Sequence, residues 1–468
     1  MTRIPFLGGS GTHRSVTVSA ERTVNLYPVL DPAGKSPIAL YGTPGLTRFA
    51  TTSTGAGRGM IEASGRLFVV VGWTLYEVDS AGAATALGTL ATITGPVSMA
   101  SNGLVVALVD GTHGYQFTLG TNVFAQITDP DWPAATRIDY QDGYFILNRA
   151  GTGQFVITSL YDTAVDPLDF ASAEGAPDSV ISLMVNHREL WLFGESSTEV
   201  WYNSGSVDFP FARLDGAFIE VGCAAPQSVA KIDNGTIWLA KDRLGHGHVV
   251  RAQGYQPQVI STRAVEFAIQ GYETISDARA YAYQQDGHAF YVLNFPTADR
   301  TWVYDVTTNL WHERMWWNGT EHRHRGECYA FAFGRCLVLD HSLGYIYELD
   351  LDAYTDDGTS IRAVRRTQHH SAEGARIFWA QLQVDVESGV GLSTGQGSDP
   401  QMMLRWSDDG GRTWSLEQWR SMGKIGEYRS RVIWRRLGQA RDRVYEVVIT
   451  DPIKRVLIDA WADVEVAA

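Results

Sequence analysis

Cysteine is scarce: the 468 residues contain three, Cys223, Cys328 and Cys336. So thin and odd-numbered a set cannot build a disulfide framework, and reduced, buried thiols are expected. Charge is scarce too. Asp, Glu, Lys and Arg make up 19%, and the 38 cations are outnumbered by 52 acids. A formal net charge of −14 argues against a general nucleic-acid binder, since phosphate affinity comes from clustered cations. It suits a surface past which DNA slides without sticking, and it suits ordinary solubility equally well. No apolar run is long enough for a membrane span or signal peptide, so folding in a cytosol without a membrane partner is expected.

Catalytic fingerprints are missing as well. There is no Gly-x-Ser-x-Gly nucleophile elbow, phosphate-binding loop or dinucleotide motif. Gly8-Gly9-Ser10-Gly11-Thr12-His13 lacks the Gly-Lys-Ser/Thr ending of a phosphate loop and reads as a flexible arm. The acids Asp356-Asp357 sit beside a turn glycine and need no catalytic role. No catalytic residue, cofactor or metal ligand is assigned.

Glycine (47), tryptophan (15) and other aromatic residues are plentiful. This combination suits strands joined by tight turns, because turns need positive φ and pleated faces favour rings. A repeat runs through the chain. Apolar strands at 67–71, 104–109, 144–147, 190–193, 237–239, 290–293 and 336–339 are each followed by a second strand carrying an aromatic or Val pair. Asn102-Gly103, Asp142-Gly143, Asn234-Gly235 and Asp286-Gly287 precede four of them, the dipeptides of type I′ hairpins. The spacing of about 40 to 50 residues is that of propeller blades of four strands each.

The reading is therefore all-β: a β-propeller of six or seven blades over residues 51–355, preceded by an N-terminal arm and first strands at 1–50. After Asp350 the strands lengthen and alternate around a Gly/Ser loop at 388–398, which predicts a β-sandwich or jelly-roll-like domain over 356–468.

Ser407, Asp409, Gly411, Thr413 and Trp414 form an Asp box, Ser-x-Asp-x-Gly-x-Thr-Trp. It reads as a hairpin clamp: oxygens accept turn N–H groups, glycine supplies positive φ and Trp packs beneath. A sialidase would repeat the box and add an arginine cluster with a tyrosine nucleophile, so one box outside the repeat makes no such case. His312, His322, His324, His369 and His370 match no zinc spacing. Trp311, Trp316 and Trp317 read as an aromatic blade edge suited to docking or to core packing. The one basic concentration is Arg429-Ser430-Arg431-Val432-Ile433-Trp434-Arg435-Arg436, then Arg441 and Arg443. Strand alternation would put Arg429, Arg431 and Arg435 on one face, a dock for an acidic partner or phosphate backbone, with Val432, Trp434 and Arg436 opposite.

Several stretches carry a resemblance. Asn25-Leu26-Tyr27-Pro28, Gly42-Thr43-Pro44-Gly45-Leu46-Thr47-Arg48-Phe49, Gly194-Glu195-Ser196-Ser197-Thr198-Glu199-Val200-Trp201-Tyr202 and the closing Arg431–Gly438 segment resemble the tail hub, or nozzle, proteins of short-tailed bacteriophages. These are also called packaged-DNA stabilisation proteins or tail accessory factors. The likeness is scattered over nearly the whole chain, and it departs at the His-rich segment 312–324 and the Asp box. It implies a non-enzymatic virion protein assembled in the host cytoplasm. Six copies would form a ring below the portal and its adaptor, continue the DNA channel, help retain packaged DNA, and carry spikes or fibres and a plug or needle. The rival reading is a sialidase-like or polysaccharide-degrading propeller enzyme.

Overall fold

In the computed structural model, which describes residues 1–467, the apolar repeat becomes a wheel. Among the described residues, seven antiparallel four-stranded units follow one another. Blades 1 to 5 span 57–89, 98–126, 138–172, 180–219 and 230–259. Blade 6 spans 279–317, and blade 7 joins 326–350 to the strand Gly45–Thr51. That N-terminal strand is the outer strand of the last blade, antiparallel to Tyr345–Asp350, so the wheel is closed by chain from both sides of the repeat.

Each blade's second strand is an unbroken apolar run because both of its faces are covered. In blade 1, Leu67, Val69 and Val71 pack on Leu337 and Leu339 of blade 7, while Phe68 and Val70 pack on Val106 and Leu108 of blade 2. The alternation continues around the circle. Ala107 and Val109 meet Phe145 and Leu147; Ile146 meets Leu190 and Leu192; Trp191 and Phe193 meet Trp238 and Ala240. Ile237 and Leu239 meet Tyr291 and Leu293, and Phe290 and Val292 meet Val338. Seven interfaces closing on themselves make the count seven. At about 1.5–3 kcal/mol per buried large side chain, these interfaces are the main stabilising term.

The hairpin turns follow type I′ chemistry with three departures; at Asn102-Gly103 only the glycine takes positive φ. Asp142-Gly143 and Asp286-Gly287 take positive φ at both residues. In blade 5 the positive pair is Asp233-Asn234, one residue earlier than the Asn-Gly dipeptide suggests, and Gly235 already opens the next strand. In blade 4 the pair is His187-Arg188, with no glycine. The inner strand of blade 5, Ala230–Ile232, is preceded by a 3-10 turn at Pro226–Ser228.

Residues 362–466 form the sandwich, but its two sheets are completed from the N-terminus. Thr2–Arg3 and Ile38–Gly42 both pair with the final strand Val456–Val466. Ile4, Phe6, Leu26 and Leu40 lie in its core beside Trp379, Leu382, Trp434 and Leu457. Arg22–Val24 runs parallel to Leu310–Trp317 of blade 6 and antiparallel to Ala363–Arg366, so one eleven-stranded sheet passes from propeller into sandwich without a break. Asn25, at φ 53°, secures this weld. Its amide donates to Met315 O and Arg362 O and accepts from Met315 N, all at 3.0 Å.

The Gly8–Gly11 stretch is not the free arm its composition suggests. Ser10 N donates to Trp311 O (2.6 Å) and Gly11 N to Glu21 O. A Cβ on Gly11 would stand 2.7 Å from that of Ala264. The buried Arg365 guanidinium donates to Phe6 O, Gly9 O, Thr23 Oγ1 and Glu21. Composition saw glycine; the backbone is seated on blade 6.

Candidate functional site

The propeller axis is a channel of about 390 Å³, lined by the inner strands of all seven blades. Three arginines face it, the minimum a sialidase-like reading needs, yet all three are already engaged. Arg58 donates to the carbonyls of Gly72, Thr92, Thr94 and Gly95 and to Thr92 Oγ1. Arg279 is paired with Glu327 at 2.6 Å. Arg137 bonds Gln227 at 2.7 Å. The Tyr281 hydroxyl is held far above its ordinary range by burial, the opposite of what a phenolate nucleophile needs. Cations here tie blades together.

A second polar cluster lies in the weld. Asp356 is buried, and burial pushes its carboxyl up to about 7, with Arg455, Arg325 and Arg314 pulling the other way. Burial likewise lowers Arg455 to about 10. Of the two acids beside the turn glycine, Asp357 makes the turn with Gly358, while Asp356 pairs in parallel with Leu46. The histidines are dispersed. His312 and His324 are buried and neutral, His324 lowered to about 3 by burial and by Arg314. His322 bonds Asp299 at 2.8 Å, and His369 bonds Asp442 and Val16 O, both at 2.7 Å. Among the described residues, no group of three His, Cys, Asp or Glu is placed to hold a metal ion. No helix is long and apolar enough to cross a membrane.

The Asp box closes the hairpin between Gln401–Ser407 and Gln418–Ser421 in the sandwich. Ser407 Oγ accepts from Gly411 N at 2.7 Å; Asp409 Oδ1 accepts from Arg412 N and Thr413 N, and Oδ2 from Thr413 Oγ1. These donors hold the Asp409 carboxyl well below the usual range. Trp414 lies under Gly411, with the guanidinium groups of Arg366 and Arg405 at 4.8 and 4.7 Å from its ring. The neighbouring Asp408 takes a two-pronged pair from Arg443 at 2.6 and 2.9 Å.

The docking residues separate by burial. Arg429, Arg431 and Arg435 are exposed, but only Arg435 lies within the strand Val432–Arg435; Arg429 sits in a turn. Arg436, expected on the inner face, ends the strand at φ 60° and is exposed. Arg443 belongs to the core. Trp311 is corrected as well: it is 2% exposed, and its indole N–H donates to Ile260 O at 2.9 Å because this strand carries blade 5–6 packing. Trp316 and Trp317 are half-buried beneath Arg325 and Arg362.

Two surfaces escaped sequence reasoning. Around the basic strand, Leu416, Trp419, Ile425 and Tyr428 are exposed. Across the wheel, Leu168, Val207 and Phe218 stand out from the rims of blades 3 and 4. The signal for the second was a charge block: residues 159–222 hold eleven acids and two arginines.

The resemblance stretches are structural throughout. Beside Asn25, a Cβ on Gly45 would meet Ala353 O at 2.4 Å, and one on Gly194 would meet Asp178 at 2.6 Å. Asp178 in turn accepts from Ser196 N and Ser197 N. Trp434 donates to Gln418 O. Fold and motifs thus define a class: a seven-bladed β-propeller welded to a β-sandwich, its distinctive residues spent on architecture. The chain belongs to the family of bacteriophage P22 Gp10, whose β-propeller model matches residues 2–354 and whose β-sandwich model matches 362–465. It is accordingly a structural protein of a phage tail, of the hub and stabilisation type found in short-tailed phages.

No curated protein matches the sequence. Among solved structures, the N-terminal domain of Nup159 aligns at TM-score 0.42 and 8% identity, over 71% of this chain and 99% of that one. The Neurospora crassa Pan2 WD40 domain aligns at 0.44 and 7%, over 66% and 96%. The designed Ika8 protein aligns at 0.37 and 13%, over 75% and 100%. These likenesses carry no functional argument.

Proposed function

We propose that this chain is a non-enzymatic hub of the virion tail, assembled in the host cytoplasm, with six copies forming a ring below the portal-adaptor. The ring continues the DNA channel, helps retain packaged DNA, and carries spikes or fibres on its flanks and a plug or needle at its tip. DNA passes without sequence-specific contact, as suits a chain of net charge −14.

The observation that carries this reading is the weld. Arg22–Val24 makes propeller and sandwich one sheet, a rigid strut suited to bearing load between neighbours. Engagement of Arg58 and Arg279 with the blades themselves supports a scaffold over a glycan-cleaving enzyme. Phage particles made without this chain are expected to package DNA and then lose it, with retention restored by the supplied protein. Full heads without it would contradict the reading, as would turnover in a glycan-release assay. The exposed Arg431 and Arg435 are proposed docking residues. Arg431→Glu with Arg435→Glu is expected to weaken docking to tail partners while leaving the melting temperature unchanged; unaltered docking removes them.

A further inference from the structure

The molecule is charged in opposite senses at its two ends. Residues 412–441 carry eight cations and two acids, the reverse of the block at 159–222. The topology says how far apart these lie. The sandwich is welded to blade 6 through Arg22–Val24 and meets blade 7 through Gly45–Thr51 and Thr355–Asp356. In a wheel of seven, blade 3 lies half a turn from that junction. The strand Gln418–Ser421 ends the eleven-stranded sheet, five strands beyond blade 6, or about 24 Å at the usual spacing. The acidic rim and the basic edge are therefore at opposite ends.

Both ends also expose apolar side chains in the midst of their charge. At the basic edge, Gln418–Ser421 and Val432–Arg435 are the last strands of their respective sheets and are tied to each other by Trp434 Nε1 donating to Gln418 O and Arg420 Nε to Ile433 O. Leu416 (90% exposed), Ile425 and Tyr428 surround them, with Trp419 on the first strand. Charge on an edge strand normally discourages association, but four exposed large apolar residues do the reverse. On the acidic rim, Leu168 and Val207 (100% exposed) stand beside Asp166 and Asp208. Phe218 of blade 4 packs against the Glu174-Gly175 loop of blade 3, so the two blade rims make one surface.

We propose that these ends meet between copies: the basic edge of one sandwich docks on the acidic rim of blades 3 and 4 of the next copy of this chain. This rests on the ring reading above and names its contact. Distinct surfaces at opposite ends give a heterologous contact, the kind that closes into a ring when the rotation per step allows. Aromatic and arginine anchors facing an acidic, apolar rim are the complementarity such interfaces use.

The test uses the full chain with one end inverted at a time: Arg420→Glu with Arg429→Glu and Arg431→Glu, or Asp166→Lys with Glu174→Lys and Asp208→Lys. All six side chains are exposed, so folding is expected to survive, checked by unchanged melting. In sedimentation velocity, the unaltered chain is expected to self-associate weakly as concentration rises and salt falls. Each variant alone should lose at least about tenfold in association. An equimolar mixture should associate again, since native edge meets native rim and inverted edge meets inverted rim, and so should the chain with both ends inverted. Variants that associate like the unaltered chain, a mixture that stays monomeric, or an unaltered chain monomeric at every concentration in low salt would overturn the contact. So would a basic edge that retards double-stranded DNA while both variants associate normally. Tail particles with a ring held by other surfaces remove this interface and leave the ring reading standing; particles without a ring of this chain remove that reading itself.

Discussion

The propeller and the sandwich are both β-sheet, but they are held together differently. In the wheel, every strand except Gly45–Thr51 pairs with its neighbour in sequence, and stabilisation is spread over seven apolar interfaces of similar make. In the sandwich, strands from residues 2–42 pair with strands more than 300 positions away, and buried charge does much of the joining. Glu446 is buried between Arg366 and Arg405, Arg365 holds the N-terminal loop, and Arg443 grips the Asp-box hairpin. Repetition suits a rigid body; long-range pairing and ion pairs suit a joint that must be assembled last.

The largest effect should come from cutting that joint. Deleting residues 1–9 removes the buried Ile4 and Phe6 and two of the four acceptors of Arg365, Phe6 O and Gly9 O, at a cost of about 5 kcal/mol. Hydrogen exchange should rise in 363–466 while blades 1 to 4 stay protected; uniform exchange would erase the contrast. Leu108→Ala, between blades 1 and 2, should cost about 3 kcal/mol in denaturant titration and loosen only blades 1 to 3. Arg365→Met should cost about 2 kcal/mol by leaving Phe6 O without a donor and Glu21 without its cation, an effect confined to the sandwich.

Titration separates the regions by sign. His324, lowered to about 3 in the fold against an ordinary 6.5, favours folding while neutral. Its contribution is present above pH 6.5 and is lost as pH falls toward 3. Asp356, raised to about 7 against an ordinary 3.8, favours folding while protonated, so its contribution is lost as pH rises from 3.8 through 7. Relative to the unaltered chain, His324→Gln should therefore gain stability below pH 6, and Asp356→Asn should gain above pH 6; parallel melting curves would deny either burial. The smallest effect is Asp409→Ala, which should speed exchange at Arg412 and Thr413 with little change in overall melting.

How much of this was legible in the sequence follows the same division. The blades were readable because apolar runs such as 67–71 and 337–339 and turns such as Asp286-Gly287 are local signals. The blade 4 turn was not, since His187 and Arg188 take positive φ only under tertiary constraint. The weld was illegible: nothing in Arg22–Val24 announces partners at 313 and 364. Trp311 stayed open between docking and core packing because a strand's pattern does not say that its neighbouring blade covers the ring. The Asp-box spacing Ser407 to Trp414 is a local signal, while Arg443 was grouped with surface cations because its partner Asp408 lies 35 residues away.

The most direct test is a cryo-EM reconstruction of the intact tail. The account predicts copies arranged as a ring, each a closed seven-bladed wheel with Gly45–Thr51 in its last blade and its sandwich rigidly continuous with blade 6. A lone copy, or a wheel opened between blades 7 and 1 with a glycan seated on its axis, would contradict it.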